Sequence, residues 1–213
     1  MKKENRPNSP GYLITFEGID GCGKTTQVEL LAEYLASLDM RYVVFREPGS
    51  TRIGERIRQI LADPNIADMC SSTEAALFAA ARSQLICQEV KAALRFELVV
   101  ILDRYIDSSL AYQGYARGLG LERVLELNRL AIDEVWPDLS LLIDLEPEVA
   151  MNRCSNIADR IERLGIQFQH KVRYGYNKLA QMYPDRIKVL DGSREPQEIF
   201  KDIKMLVDEL ILL

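Results

Sequence analysis

Residues 18 to 25, Gly-Ile-Asp-Gly-Cys-Gly-Lys-Thr, fit the pattern GxxxxGK[ST], and a second hydroxyl, Thr26, follows directly. Glycines let successive backbone N–H groups turn inward around phosphate oxygens; Lys24 is placed to reach terminal phosphates, and Thr25 offers a hydroxyl to Mg2+. The stretch Gly18, Ile19, Asp20, Gly21, Cys22, Gly23, Lys24, Thr25 and Thr26 therefore predicts a phosphate cradle. Cys22 lies near a predicted helix N-terminus, where a thiol's pKa tends to fall, although a small residue tolerated in a tight loop is the simpler reading. Asp20 puts a carboxylate among phosphates, which is electrostatically awkward unless it faces a metal, a hydroxyl or a basic partner. It is expected to face an acceptor substrate.

A second constellation lies in "LVVILDRYIDSSLAYQG", where an apolar run ends in Asp103-Arg104 and passes into a polar loop. A carboxylate at that point can organise Mg2+ and its waters, and a guanidinium can grip a phosphate bidentately. An ion pair of purely structural use would look the same in isolation. Arg46 in "FREPGST" ends another apolar run, and Phe78 and Arg82 in "LFAAARSQ" are four apart, so an aromatic ring and a guanidinium share one helix side. That pair could stack a base and hold its phosphate, or be a core Phe beside a surface Arg. The single histidine, His170, is far from every motif and reads as a solvated helix residue.

The elements that must position these residues alternate along the chain. Runs at 12–16, 42–45, 98–102, 139–145 and 187–190 read as buried strands, with helical segments between them. Val28, Leu31, Leu35 and Leu38 form one apolar helix face, and Ile199, Ile203, Leu206 and Leu210 repeat it near the end of the chain. Strands apolar on both faces, each followed by a helix, imply a parallel sheet covered on both sides. The expectation is one α/β domain over 11–213 with five parallel strands, behind a frayed polar tail at 1–10.

Composition limits the function. A formal net charge of −5 over 213 residues disfavours a protein that binds nucleic acid through its phosphate backbone, so cationic chemistry must be local. The four cysteines show no metal or disulfide spacing, and no signal-length or membrane-length apolar run occurs. A cytoplasmic protein with reduced thiols, bound to neither nucleic acid nor membrane, is expected.

Together, "FEGIDGCGKTT", "REPGST", "LFAAARSQL", "DRYIDSSLAYQG", "PDLSLLIDLEPEVAMNR" and "DRIE" resemble, in order and separation, the thymidylate kinases. These are nucleoside monophosphate kinases that make dTDP from dTMP with ATP and Mg2+, in dTTP biosynthesis. The resemblance implies a three-layer α/β/α phosphate-loop fold with a short mobile lid at about 153–165, and a homodimer formed through helices beside the acceptor site. It implies that Phe78 stacks on thymine, that Arg82 and Ser109 bond its edge, and that Tyr112 lies under the deoxyribose with Gln113 nearby. Arg46 and Arg104 would bind the acceptor phosphate, Pro48 would shape that pocket, and Asp20 would meet the 3′-hydroxyl or the metal, which Thr25 and Asp103 serve. The transfer needs cationic charge rather than a nucleophilic side chain, because the dTMP phosphate is itself the nucleophile. In that family the cation comes from the phosphate loop or from the lid, so with glycine at position 21 the resemblance implies the lid, where the candidates are Arg160, the best placed, and Arg153, with Arg163 weaker. Arg160 and Arg163 could instead belong to a charged outer helix face with Asp159 and Glu162. The resemblance implies that the loop "DGSREP" at 191–196 approaches adenine, as its counterpart does in that family. A nucleoside kinase would need a carboxylate base just after the first strand, and a GTPase would need Asn-Lys-x-Asp, whereas "NKLA" at 177–180 lacks the Asp.

Overall fold

Runs rich in branched aliphatic residues form five strands, β1 (Tyr12–Glu17), β2 (Tyr42–Arg46), β3 (Val99–Asp103), β4 (Leu139–Asp144) and β5 (Ile187–Asp191). Their bounds match the sequence reading to within one residue at either end. The structure, a computed structural model, describes residues 11–153 and 159–211. The tail expected at 1–10 and positions 154–158 of the expected lid lie outside the described residues. All strand pairs are parallel, in the order β2-β3-β1-β4-β5, so β1 is central.

Burial on both faces is found where a strand has neighbours on both sides. Val99, Val100, Ile101 and Leu102 of β3 and Leu141, Leu142 and Ile143 of β4 are all buried. The expectation fails at the edges: Val44 of β2 is 40% exposed and Val189 of β5 is 51% exposed. Each edge strand has a partner on one side only, and the sheet's cover thins there.

The helices are α1 (Lys24–Ser37), α2 (Arg52–Ala62), α3 (Ser71–Leu85), α4 (Lys91–Arg95), α5 (Ile106–Ser109), α6 (Leu121–Ile132), α7 (Pro147–Arg153), α8 (Ile166–Met182) and α9 (Pro196–Ile211). α3 runs into α4 through a π-helical turn, Ile86–Val90, and α5 continues into another, Leu110–Ala116. α1 buries Val28, Leu31 and Leu35, but Leu38 falls just past the last turn and is exposed. α9 buries Ile199, Ile203 and Val207; the predicted Leu206 and Leu210 are only partly covered, because the stripe facing the core advances by four residues each time. α1 and α9 pack together, joined by Tyr34 Oη donating to Asp208 at 2.6 Å and Gln27 Nε2 to Pro196 O at 2.9 Å.

A polar seam crosses the core. Thr15 Oγ1 of β1 donates to Ser140 Oγ of β4 at 2.9 Å, and Ser140 donates to Asp107 of α5 at 2.9 Å. Arg186 closes the seam with two bonds to Asp107 at 2.6 and 2.8 Å. The seam pins α5, and therefore the turn at 104–105, to the sheet. Each strand ends on a charged residue, Glu17, Arg46, Asp103, Asp144 or Asp191, so five charges gather at the carboxyl edge where ligands of open parallel sheets bind. Arg186→Met should leave Asp107 buried without its partner and cost about 3–5 kcal/mol in urea unfolding, with most of that recovered when Asp107→Asn is added.

Candidate active site

The chain leaves β1 at Glu17 and must turn at once. Gly18 does so at φ 137°, where a Cβ would lie 2.6 Å from Ile143 O and 2.7 Å from Cys22 Sγ. Gly23, at φ 103°, caps α1 without any side chain on the first N–H groups of the helix, which stay available to an anion. Lys24 is buried and folds back along the loop, its Nζ 2.9 Å from Ile19 O and 3.2 Å from Gly18 O. Thr25 and Thr26 are exposed on the first turn. Gly23, Lys24, Thr25 and Thr26 line a cavity of about 770 Å³ shared with Arg46, Asp103, Arg153 and the 192–196 loop, a size suited to a small-molecule ligand.

Asp103 lines this cavity with a buried Oδ1 that has no hydrogen-bond partner. An orphaned carboxylate oxygen in the cavity that Thr25 also lines fits a hard cation bound directly or through water. Among the described residues no group of three or more His, Cys, Asp or Glu could hold a metal. A cation here would draw most of its ligands from phosphate oxygens and water, as Mg2+ does in kinases.

Asp20 has the basic partner that its position demands. Arg104 Nη2 donates to Asp20 Oδ1 at 2.6 Å, Arg104 Nη1 donates to Gly18 O at 2.8 Å, and Tyr112 Oη donates to Asp20 Oδ2 at 3.4 Å. The guanidinium also sits 5.3 Å from the centre of the Tyr112 ring. Desolvation pushes the Asp20 carboxyl up, but Arg104 and then Lys24 outweigh it and bring the pKa down to about 2. Asp20 is ionised throughout the pH range in which such a protein works.

The second cleft lies beside this pair, between β2, α2, α3 and α5. Pro48, Phe78, Ser109, Tyr112 and Gln113 line it, and the Glu47–Pro48 peptide is cis. Arg82 is buried under the cleft and does not line it: Nε bonds Glu47 Oε2 at 2.8 Å, Nη1 bonds Ser109 Oγ at 2.9 Å and the Asn128 side chain, and Nη2 bonds Tyr105 O at 2.9 Å. Gln113 Nε2 donates to the buried Glu74 at 3.0 Å. Burial raises Glu47 to about 7 against the pull of Arg82, and its Oε1 has no partner. Arg46 is half exposed and pairs with Glu55 at 3.1 Å.

Arg58, which sequence reasoning passed over, lines both cavities and donates to Pro48 O at 3.1 Å. A signal was available: Gly54, Arg58 and Leu61 follow at i, i+4 and i+7, an arginine set into the buried stripe of α2. Asp20, Glu47, Arg58 and Arg104 are common to the two cavities.

The two lid arginines separate. Arg153 lines the phosphate-loop cavity and donates to Gly192 O at 3.3 Å. Arg160 faces away from that cavity, its Nη2 2.7 Å from Glu74 Oε2 and its Nε 3.0 Å from Leu61 O. Glu74, fully buried, accepts Arg117 at 2.6 Å as well; a buried carboxylate far away in the chain has captured the arginine that local sequence favoured. His170 is a surface residue of α8, 2.9 Å from Glu148 Oε1. Burial raises the Cys22 thiol, outweighing Lys24 and Arg104, so the helix N-terminus does not activate it.

A central strand running through a glycine loop into a helix, with a Lys-Thr pair at its start, defines an α/β phosphate-loop protein. Residues 16–203 match the family described as thymidylate kinase. The chain is 46% identical over 194 residues to the thymidylate kinase of Thermoanaerobacter sp. (strain X514), covering 91% of this chain and 95% of that one. It is 46% identical over 200 residues to that of Symbiobacterium thermophilum, covering 93% and 94%. A crystal structure of thymidylate kinase from Ehrlichia chaffeensis superposes with a TM-score of 0.77 at 32% identity, over 93% of this chain and 98% of the other. The chain belongs to the thymidylate kinase family.

The thiols offer a check on this geometry. Hydrogen bonds from Ser72 and Thr73 lower the exposed Cys70 to about 7, so iodoacetamide at pH 7.5 should label Cys70 well before Cys22, as read by peptide mass mapping.

Proposed function

We propose that a single domain over 11–213 transfers the γ-phosphoryl of ATP to dTMP, giving dTDP and ADP, with the donor in the phosphate-loop cavity and the acceptor in the adjoining cleft. The observation that carries this reading is that Asp20, Glu47, Arg58 and Arg104 line both cavities, which puts cationic groups where two phosphates would meet. Phosphoryl transfer through a loose transition state is accelerated mainly by positioning and by charge on the equatorial oxygens. Lys24 and the free N–H groups at the start of α1 hold the donor phosphates. Arg104, fixed by Asp20, and Arg46 and Arg58 hold the acceptor phosphate, which is already ionised and needs no base. Phe78 stacks on the thymine, Ser109 (backed by Arg82) and Gln113 meet its edge, and the buried Tyr112 fills the space a 2′-hydroxyl would take. Mg2+ would be held by Thr25 and Asp103, and when bound it neutralises developing charge on the transferring group. Arg153, on the donor cavity, supplies the lid cation, while Arg160 braces the acceptor cleft through Glu74. No helix of the described residues is long and apolar enough to cross a membrane, in keeping with a cytoplasmic enzyme.

ADP release with ATP and Mg2+ should be strong with dTMP and weak with dUMP, UMP, CMP, AMP, GMP and thymidine; turnover of thymidine but not dTMP would overturn the reading. Lys24→Ala should nearly abolish it without unfolding the protein. Arg153→Ala should lower kcat by about 10³-fold or more, the worth of an arginine at such a site, and Arg160→Ala should act chiefly on dTMP KM.

The proposal extends to a homodimer. Ile53 and Ile60 of α2 and Leu127 and Leu130 of α6 are 40–87% exposed, and α3, which packs on both helices, presents the small Ala76 and Ala80 between them. Leu130→Glu should halve the mass seen by light scattering.

A further inference from the structure

Glu17 ends β1 one residue before the phosphate loop, and no role assigned above uses it. Its carboxyl is buried and accepts hydrogen bonds from three directions: Tyr105 N at 2.9 Å on Oε1, and Ser108 Oγ at 2.6 Å and Tyr176 Oη at 3.2 Å on Oε2. Tyr105 follows Arg104 in the chain, Ser108 is one turn further along α5, and Tyr176 comes from α8. The two hydroxyls lie 2.7 Å apart and 3.3 and 3.2 Å from Arg104 Nη1.

A guanidinium can only donate, and the Glu17 carboxyl, raised above the usual carboxylate range by burial and the charge of Asp107, accepts at both oxygens when ionised. The two hydroxyls are also within hydrogen-bond distance of each other, so at least one sends its proton to Glu17, and both can turn a lone pair towards Arg104. The backbone adds to this: Arg104 is left-handed at φ 70°, a conformation that a residue with a Cβ rarely adopts. It is held by Arg104 N donating to Phe16 O at 2.9 Å and by the next N–H, that of Tyr105, donating to Glu17.

We propose that Glu17 is a positioning residue for phosphoryl transfer, holding the Arg104 guanidinium at the junction of the two cavities through Ser108, Tyr176 and the Tyr105 N–H. The inference rests on the placement of Arg104 at the acceptor phosphate proposed above. Asp107 and Arg186 are the other charged groups around Glu17, and they belong to the seam under α5, which a neutral isostere at position 17 leaves in place.

Glu17→Gln is nearly isosteric, but its amide cannot accept at both oxygen positions, so either the Tyr105 N–H or the hydroxyl pair loses its acceptor. The variant should keep its circular-dichroism spectrum and lose between about tenfold and a hundredfold in kcat, the scale of a misplaced catalytic group, with ATP KM within about twofold of wild type. In an Arg104→Ala background the same substitution should lower kcat no further, because a residue acting through another has nothing left to act on. A merely structural role would multiply the two losses, and that result, or a folded Glu17→Gln with wild-type kcat, overturns the proposal. Should Glu17→Gln not fold, Tyr176→Phe decides: it removes one bridging hydroxyl and should lower kcat severalfold, and wild-type kcat again overturns it. Absence of dTMP phosphorylation by the wild-type protein would instead count against the proposed function, so the two failures are distinguishable.

Discussion

The 2.6 Å ion pair between Asp20 and Arg104 ties the phosphate loop to the turn after β3, and the polar interior is arranged around it. Arg104 is fixed by a carbonyl of the loop, by a carboxylate, by two hydroxyls and by the face of Tyr112. These contacts come from the loop, from α5 and the turn that follows it, and from α8, so the guanidinium can be correctly placed only when β1, β3, α5, α8 and the loop are all in register. In an enzyme whose chemistry is mostly electrostatic, a cation held this way loses little energy to reorganisation when charge develops beside it.

The same constraint accounts for an acidic protein with a cationic site. The chain's formal net charge is −5, yet Lys24, Arg46, Arg58, Arg104 and Arg153 converge on one sheet edge. Of these Arg104 is paired with Asp20, and buried carboxylates pair the arginines around the site: Glu47 with Arg82, Glu74 with Arg117 and Arg160, Asp107 with Arg186. Such pairs add little net stability over apolar packing. Their effect is geometric, since Arg82 fixes Ser109 and Glu47 at the second cleft and Glu74 holds Gln113 at its wall.

Much of this was legible in the residues alone. The phosphate loop is a local object: its glycines, lysine and hydroxyls are contiguous, and the strand before and helix after follow from hydrophobic periodicity, so its place at the carboxyl end of β1 needed no tertiary information. The five strands were readable for the same reason, as unbroken apolar runs. Their unequal burial was not, because Val44 and Val189 carry the same side chain as core valines and differ only in having no neighbouring strand on one side.

Residues whose roles depend on long-range partners divide differently. Sequence determined that Arg82, Arg153 and Arg160 exist and that a cation is required. Only the tertiary structure decided that Arg82 lies beneath the cleft, that Arg160 is drawn to Glu74, and that Arg58 faces both cavities. A guanidinium on a long flexible stem goes to whichever acceptor the fold brings near, and in a parallel sheet those acceptors come from strands and helices far apart in the chain.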